Sequence, residues 1–290
     1  MLHTLCTMKV WILCLLLIIG WNEAARCSAP PPPKRIVSLA PAMTEIIFSL
    51  GLGERVVGVT TVCDRPDEAR RKEKIGGMAN PSLEAIIALK PDMVVMTTEG
   101  NPKIIAERLA RFGIKTHIFT SKRLTELPSG IRKMGQALGA RTAADHLAEN
   151  IEKAIRGVSM AHQGKSSRTS TAGGRKALFV IWPNPLIVAG PGTILDDAMK
   201  ISGLHNIASD GKVAYPRFSL EAVIERQPDL ILIGKGHEDM KTLAEGFLHS
   251  LRMLEAVRKG RICFMDDALY RPGPRIPAGL EELDRCGKMP

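Results

Sequence analysis

The chain has 290 residues and is 45% hydrophobic, enough to bury a core in each of two ordinary domains, which excludes a wholly disordered protein. Its formal charge of +10 would suit nucleic acid, an anionic membrane face or an acidic partner. No nucleic-acid module and no basic stripe interleaved with aromatics occurs, so the excess reads as a solvated basic surface and no nucleic-acid partner is expected.

The first segment is Lys9, an unbroken apolar run from Val10 to Ile19, then Gly20 and small or polar residues. The run is shorter than the about 20 residues that span a bilayer, so residues 1–29 read as a secretory signal peptide, with cleavage between Gly20 and Pro30. Cys27 offers a lipid anchor as the alternative to a soluble exported protein, although Arg26 stands where such signals want a small residue. A Pro-rich spacer, residues 30–34, leads into the fold.

Over residues 35–140 apolar runs alternate with helical periods. IVSL leads to TEIIFSL with Gly51 as its stop, VVGV follows, and a helix over Pro81–Leu89 ends before Pro91. MVVMT reads as a buried strand, Asn101-Pro102 as a helix start, IIAERLARF as its body and Gly113 as its cap, and IKTHIFT as the next strand. Strands separated by helices of this length imply parallel pairing through right-handed crossovers, hence an α/β lobe. Leu147, Ile151, Ala154, Ile155 and Val158 make one apolar stripe on a linking helix over 141–164. Residues 165–175, polar and without acids, read as an exposed basic loop. The alternation then resumes over 176–287 with KALFVIW, PLIVAG, a helix from Thr193, LRMLEAVRK, RICFM and a last helix after Pro277.

SLEAIIALKPDMVVM from Ser82 and SLEAVIERQPDLILI from Ser219 agree at seven of fifteen positions. Each reads as a helix with a glutamate in its first turn, followed by Pro-Asp and a buried strand. The two copies therefore mark equivalent places in two similar lobes that a rigid linking helix holds face to face. Beyond the signal region and Cys27 the cysteines are Cys63, Cys263 and Cys286, an odd number. Spacing leaves a Cys263–Cys286 bridge open, and RICFM reads Cys263 as a buried strand residue.

Ligands of open parallel sheets bind beyond the carboxyl ends of the strands. The loops there hold Ala40-Pro41, Cys63-Asp64, Met78-Ala79-Asn80, Trp182-Pro183-Asn184, Tyr215-Pro216-Arg217-Phe218 and Asp266 to Arg271. Aromatics are 4% of the chain, yet both tyrosines and the one tryptophan beyond the signal region fall in these loops, which suits a flat, largely apolar ligand. Enzyme motifs fit poorly. AGPGT puts Leu195 where a dinucleotide loop wants its third glycine, and neither a Gly-x-Ser-x-Gly nor a P-loop occurs. His237-Glu238-Asp239 lacks the spacing of a metal site and reads as a solvated charge cluster, and the dispersed histidines argue against a receptor for a metal ion.

RIVSLAPAMTEIIFSLGLGERVVGVT, SLEAIIALKPDMVV, FSLEAVIERQPDLILIG and RPGPRI, in this order after a signal peptide, resemble the cobalamin-binding branch of the periplasmic substrate-binding proteins that serve ABC importers. The resemblance runs from about Arg35 to Leu283. The same group also handles haem and ferric siderophores. It implies two Rossmann-like α/β lobes with mainly parallel sheets, joined by a single long helix, with little hinge motion and the ligand in the cleft between them. It further implies a periplasmic, monomeric receptor with no catalytic chemistry and no cofactor of its own, whose ligand is cobalamin or a related corrinoid. Ring contacts map to Ala40, Pro41, Tyr215, Asp267 and Arg271, with Trp182 among the loop aromatics. Tyr215 stands where relatives place a tryptophan, and Val62 and Met78 stand where well-known cobalamin binders carry Tyr and Trp. Glu84 and Glu221 map to glutamates that pair with arginines of the two permease subunits of an importer driven by its ATPase. Haem, with Tyr270 or Tyr215 as axial ligand, and a siderophore held by Arg217 and Arg271, remain alternatives.

Overall fold

The computed structural model describes residues 31–163, 174–236 and 240–290. Residues 1–30, read above as a signal segment with Cys27 and the start of the spacer, most of the basic loop, and His237-Glu238-Asp239 lie outside the described residues. Every apolar run named above from Arg35 onward becomes a strand or helix of a two-lobed α/β fold. Lobe one holds β1 (Ile36–Ser38), β2 (Val56–Val59), β3 (Glu73–Lys74), β4 (Met93–Thr97) and β5 (Lys115–Phe119), all parallel in the order β3-β2-β1-β4-β5. Its helices are α1 (Pro41–Ser49), α2 (Asp67–Arg70), α3 (Leu83–Ala88) and α4 (Lys103–Arg111). Central β1 is buried throughout, as a parallel strand covered on both faces must be, whereas edge strand β5 leaves Lys115 and Ile118 exposed.

Two helices follow. Gly139, at φ 73°, ends α5 (Leu127–Leu138), and α6 (Arg141–Gln163) starts at once. A Cβ on Gly135 would lie 2.1 Å from Ala144 Cβ, so glycine is what lets α5 and α6 cross this closely. The apolar stripe of α6 sits inside one continuous core, with Ala144, Ala148 and Ile151 fully buried and Leu147, Ala154, Ile155 and Val158 packed beside them. That core draws Phe119 and Ile131 from lobe one and Phe179, Leu195 and Leu283 from lobe two, so the linking helix is packed along its length.

Lobe two has β6 (Arg175–Pro183), β7 (Leu186–Val188), β8 (Leu204–Asn206), β9 (Leu230–Gly234) and β10 (Ile262–Met265), in the order β10-β9-β6-β7, with β8 also on β6 and only β7 antiparallel. The helices are α7 (Ile194–Ile201), α8 (Leu220–Arg226), α9 (Met240–Ser250), α10 (Glu255–Arg258) and α11 (Ile276–Gly287). His162 at the end of α6 meets Asp284 of α11 at 2.8 Å.

Several expectations need correction. Arg175, read as loop, opens β6 because its guanidinium donates to the Gly287 carbonyl at 3.0 Å. Lys34, read as spacer, is already tied down, its N–H donating to Asp92 at 2.7 Å. Trp182 and Pro183 belong to the end of β6, not to a loop, because β6 turns there into a hairpin with β7. Cys263 lies on a strand but is only half-buried and is bridged to Cys286, with the two Cα atoms 6.0 Å apart, which ties β10 to α11. The free cysteine among the described residues, Cys63, is buried between the hydroxyls of Thr44 and Thr60 at 3.1 and 3.0 Å. Helix α9 was not anticipated, since interior Gly246 weakens its helical pattern.

Candidate functional site

Both lobes present the carboxyl ends of their strands to the same mouth, and three ion pairs cross between them. Arg123 holds buried Asp197 of α7, with Nε donating at 2.8 Å. Arg275, at the start of α11, grips Glu45 of α1 through two hydrogen bonds of 2.7 and 2.8 Å. Arg271 pairs with Asp64 beyond β2. Asp267 joins the last two pairs, accepting a hydrogen bond from Arg275 Nη1 at 2.5 Å and forming an ion pair with Arg271, whose Nε lies 3.0 Å away. The chain Glu45–Arg275–Asp267–Arg271–Asp64 therefore crosses the lobes twice along one edge. Against its own burial, Arg275 is held firmly charged by Glu45 and Asp267.

Asp267 and Arg271, singled out as ligand contacts, are thus the middle of a brace. Both oxygens of Asp267 are taken, whereas Arg271 Nη2 has no partner among the described residues. Beside the brace a cavity of about 670 Å³ opens between Phe48, Arg65, Pro66 and Pro274, floored by Glu45 and Arg275.

In lobe one Ala40 is the buried N-cap of α1, its carbonyl accepting from Thr44, and Pro41 is the first helical residue, where a missing N–H costs nothing. Val62 is 47% exposed, an unpacked apolar side chain on the rim. Met78 lies across Gly100, where an added Cβ would stand 2.7 Å from its methyl carbon. The residue that fixes this arrangement is Asn101, buried and triply used: Nδ2 donates to the carbonyls of Leu39 and Met78, both at 2.9 Å, and Oδ1 accepts from Thr97 N–H at 2.8 Å. In sequence Asn101 looked only like a helix start; Asn-Pro beyond a strand end was its one signal.

In lobe two Trp182 packs on the core built around Val180 and Val188, its Nε1 donating to Asn184 at 2.8 Å, so the indole fills its own lobe. Tyr215 is 44% exposed. Its phenol pKa is raised by burial and then by the charge of Glu99 of lobe one. Tyr270 is turned inward against Gly234 and Gly236, its hydroxyl buried and without a hydrogen-bond partner among the described residues. Burial, reinforced by Asp267, pushes its pKa up.

The repeated units have the same geometry. Ser82 caps α3 and Ser219 caps α8, each hydroxyl accepting from the N–H three residues on at 3.1 Å. Glu84 and Glu221 follow two residues after each cap, both exposed. The backbone N–H at each helix start, then the serine, hold both carboxyls below the ordinary range, so both stay charged. Neither shares a described contact with the mouth residues.

The family described as periplasmic binding protein matches residues 36–269. The chain is similar, at 30% identity over 87% of its length and 86% of the relative's, to a vitamin B12-binding protein of Photorhabdus laumondii. At 30% identity, over 87% of this chain and 79% of the relative's, it is similar to an uncharacterised ABC transporter substrate-binding lipoprotein of Bacillus subtilis. A periplasmic haem-binding protein of a Roseiflexus species in its apo form superimposes with a TM-score of 0.76 at 29% identity, over 88% of this chain and 97% of the other.

Proposed function

Since this chain belongs to the periplasmic binding protein family, we propose that it captures a corrinoid, with cobalamin the first candidate, between its lobes and delivers it to the permease dimer of an ABC importer. The observation that carries the choice of ligand is that Arg271, one of the two arginines a siderophore complex would need, is already paired. Arg271 and Arg275 are bound to Asp64, Asp267 and Glu45, so of that pair only exposed Arg217 is left without an ion pair among the described residues to meet an anionic siderophore complex. A corrinoid periphery is made of neutral carboxamides, which need apolar surface, a ring face and a few polar atoms. Pro41, Val62 and Met78 supply the apolar wall of lobe one, next to the buried N-cap Ala40, Tyr215 supplies the ring, and Arg271 Nη2 supplies a donor. Trp182 supports the second wall, and Asp267 holds Arg271 in place. Glu84 and Glu221 are the permease contacts. The chemistry stays with the ATPase that drives the importer, and this protein only binds.

Haem is the second reading, because Tyr215 keeps an exposed phenol at the mouth. Tyr270, buried and harder to ionise, is the poorer axial ligand. The purified exported protein is titrated with cobalamin, cobinamide and haem while the absorption bands are followed. A saturable shift with both corrinoids is expected; haem alone giving a shifted Soret band that Tyr215→Phe alters would replace the corrinoid reading.

A further inference from the structure

Tyr215 has no strand of its own, yet it must stand at a fixed place if it is to offer a ring face. The segment carrying it, Val213–Phe218, is laid along the edge strand β7. Gly190 N–H donates to Ala214 O at 2.7 Å, Val188 N–H to Pro216 O at 3.2 Å, and Phe218 N–H to Leu186 O at 3.0 Å. Ile187 and Arg217 form an isolated antiparallel bridge in the same run. At Gly190 the approach is close. A Cβ there would lie 2.4 Å from Val213 O, 2.8 Å from Pro216 Cδ and 3.1 Å from Ala214 O. Distances under about 3 Å to backbone oxygen cannot be relieved by turning a side chain, so any other residue at 190 must push the segment off β7. From the other side, Thr193, the N-cap of α7, donates its hydroxyl to Gly190 O at 3.0 Å and so pins the glycine. Pro216 restricts Tyr215 to extended backbone. The segment carries two exposed large side chains, Val213 at 58% and Tyr215 at 44%.

From this geometry we infer that Gly190 is a positioning residue for the ligand: it seats the Val213–Phe218 arm on β7 and thereby sets where the Tyr215 ring meets the bound macrocycle. The inference rests on the reading of Tyr215 as a ligand contact. It gives the AGPGT glycine a function unlike nucleotide binding, since Gly190 serves an approach of backbone to backbone inside the protein.

The test has a ligand-free arm and a ligand arm. In hydrogen exchange on the protein without ligand, Gly190→Ala should speed exchange at the amides of Val188, Gly190 (now Ala) and Phe218, and leave lobe one unchanged. In absorbance titrations with cobalamin, and with haem in parallel, Gly190→Ala should weaken whichever ligand binds by about fivefold or more, close to the loss in Tyr215→Ala. The double variant should be no weaker than Tyr215→Ala alone, because an arm without its ring has nothing left to misplace. Pro216→Ala, which keeps the carbonyl partner of Val188 but frees the backbone of Tyr215, is the milder version in case Gly190→Ala does not fold. It should weaken binding in the same direction. Gly211→Ala, whose Cβ would meet nothing closer than 3.5 Å, should bind as wild type. Exchange unchanged in Gly190→Ala, or losses that add in the double variant, overturns the inference. A wild-type protein that binds neither cobalamin nor haem overturns the ligand reading instead, while the exchange arm still decides whether Gly190 seats the segment.

Discussion

Removing Arg275 should do more damage than removing any other single charge at the mouth. Glu45 is 4% exposed and its two oxygens are served by Arg275 Nε and Nη2, while Nη1 of the same side chain reaches Asp266 at 3.0 Å and Asp267 at 2.5 Å. Arg275→Ala leaves a carboxylate buried in α1 without a partner, which costs about 3–5 kcal/mol. For a chain of this size that is a fall in Tm of roughly 6–20 °C, at roughly 2–4 °C per kcal/mol. Glu45→Gln should cost less, about 1–3 kcal/mol, because Arg275 keeps Asp266 and Asp267 and the amide oxygen still accepts one bond. The double variant Glu45→Ala with Arg275→Ala should recover part of the loss, since neither charge is then stranded. Urea unfolding with a constant m-value is the assay, because a change in m would mean that the denatured or native state itself had changed. If Arg275→Ala shifts stability by less than about 1 kcal/mol, or Glu45→Gln proves the worse variant, the brace is not holding the lobes and the reasoning fails.

Tyr215→Ala should weaken corrinoid binding by about 1 kcal/mol or more in an absorbance titration and Tyr215→Trp should be tolerated; equal affinities would remove Tyr215 from the site. Small-angle scattering with and without ligand should show little compaction, because a packed linking helix and three ion pairs join the lobes, and a large change would contradict that. Charge reversal of both Glu84 and Glu221 to Arg should leave folding and ligand affinity nearly unchanged while strongly reducing transport and association with the permease. Because both carboxyls have depressed pKa values, their charge is fully present above the ordinary carboxylate range and is lost only as pH falls through the lowered folded values. Docking measured against pH should therefore persist through the ordinary glutamate range and fail only at pH values below it.

Buried strands β4 and β9 were plain in MVVMT and LILI, because a covered parallel strand must be apolar at every position. The linking helix was plain in the spacing of its stripe. The mouth was legible in outline, as loops beyond strand ends, but its ion pairs were not. Glu45 and Arg275 are 230 residues apart in the chain, and nothing local distinguishes either from a solvated charge. Asn101 was visible only as a helix start and Gly190 only as a glycine of a poorly fitting dinucleotide loop for the same reason: what they do depends on backbone brought from elsewhere. Trp182 was read as part of a loop, because an aromatic at a strand end looks alike in sequence whether it closes a strand or follows it.

The repeated unit separates what the fold requires from what it does not. Ser82 and Ser219 cap their helices, so serine is needed twice for local reasons. Lys90 and Gln227, eight residues on in each copy, take φ of 44° and 48°, the left-handed turn that ends each helix before proline. Asp92 accepts from the N–H of Lys34 and Arg35 at 2.7 and 2.8 Å, and Asp229 from the N–H of Lys176 at 3.0 Å, so each aspartate fastens the start of the neighbouring strand. Serine, proline and aspartate are thus accounted for by folding in both copies. The glutamates are not. Glu84 takes a hydrogen bond from Ser82 at 3.1 Å, which tunes its charge without burying it, and both carboxylates face solvent. A complementary charge at a helix start needs neither glutamate rather than aspartate nor the same choice in both lobes. Two identical, exposed, ionised groups at matched places in two lobes are what a partner built of two like subunits would meet, which is why the charge reversal must be made at both positions and read out on the permease.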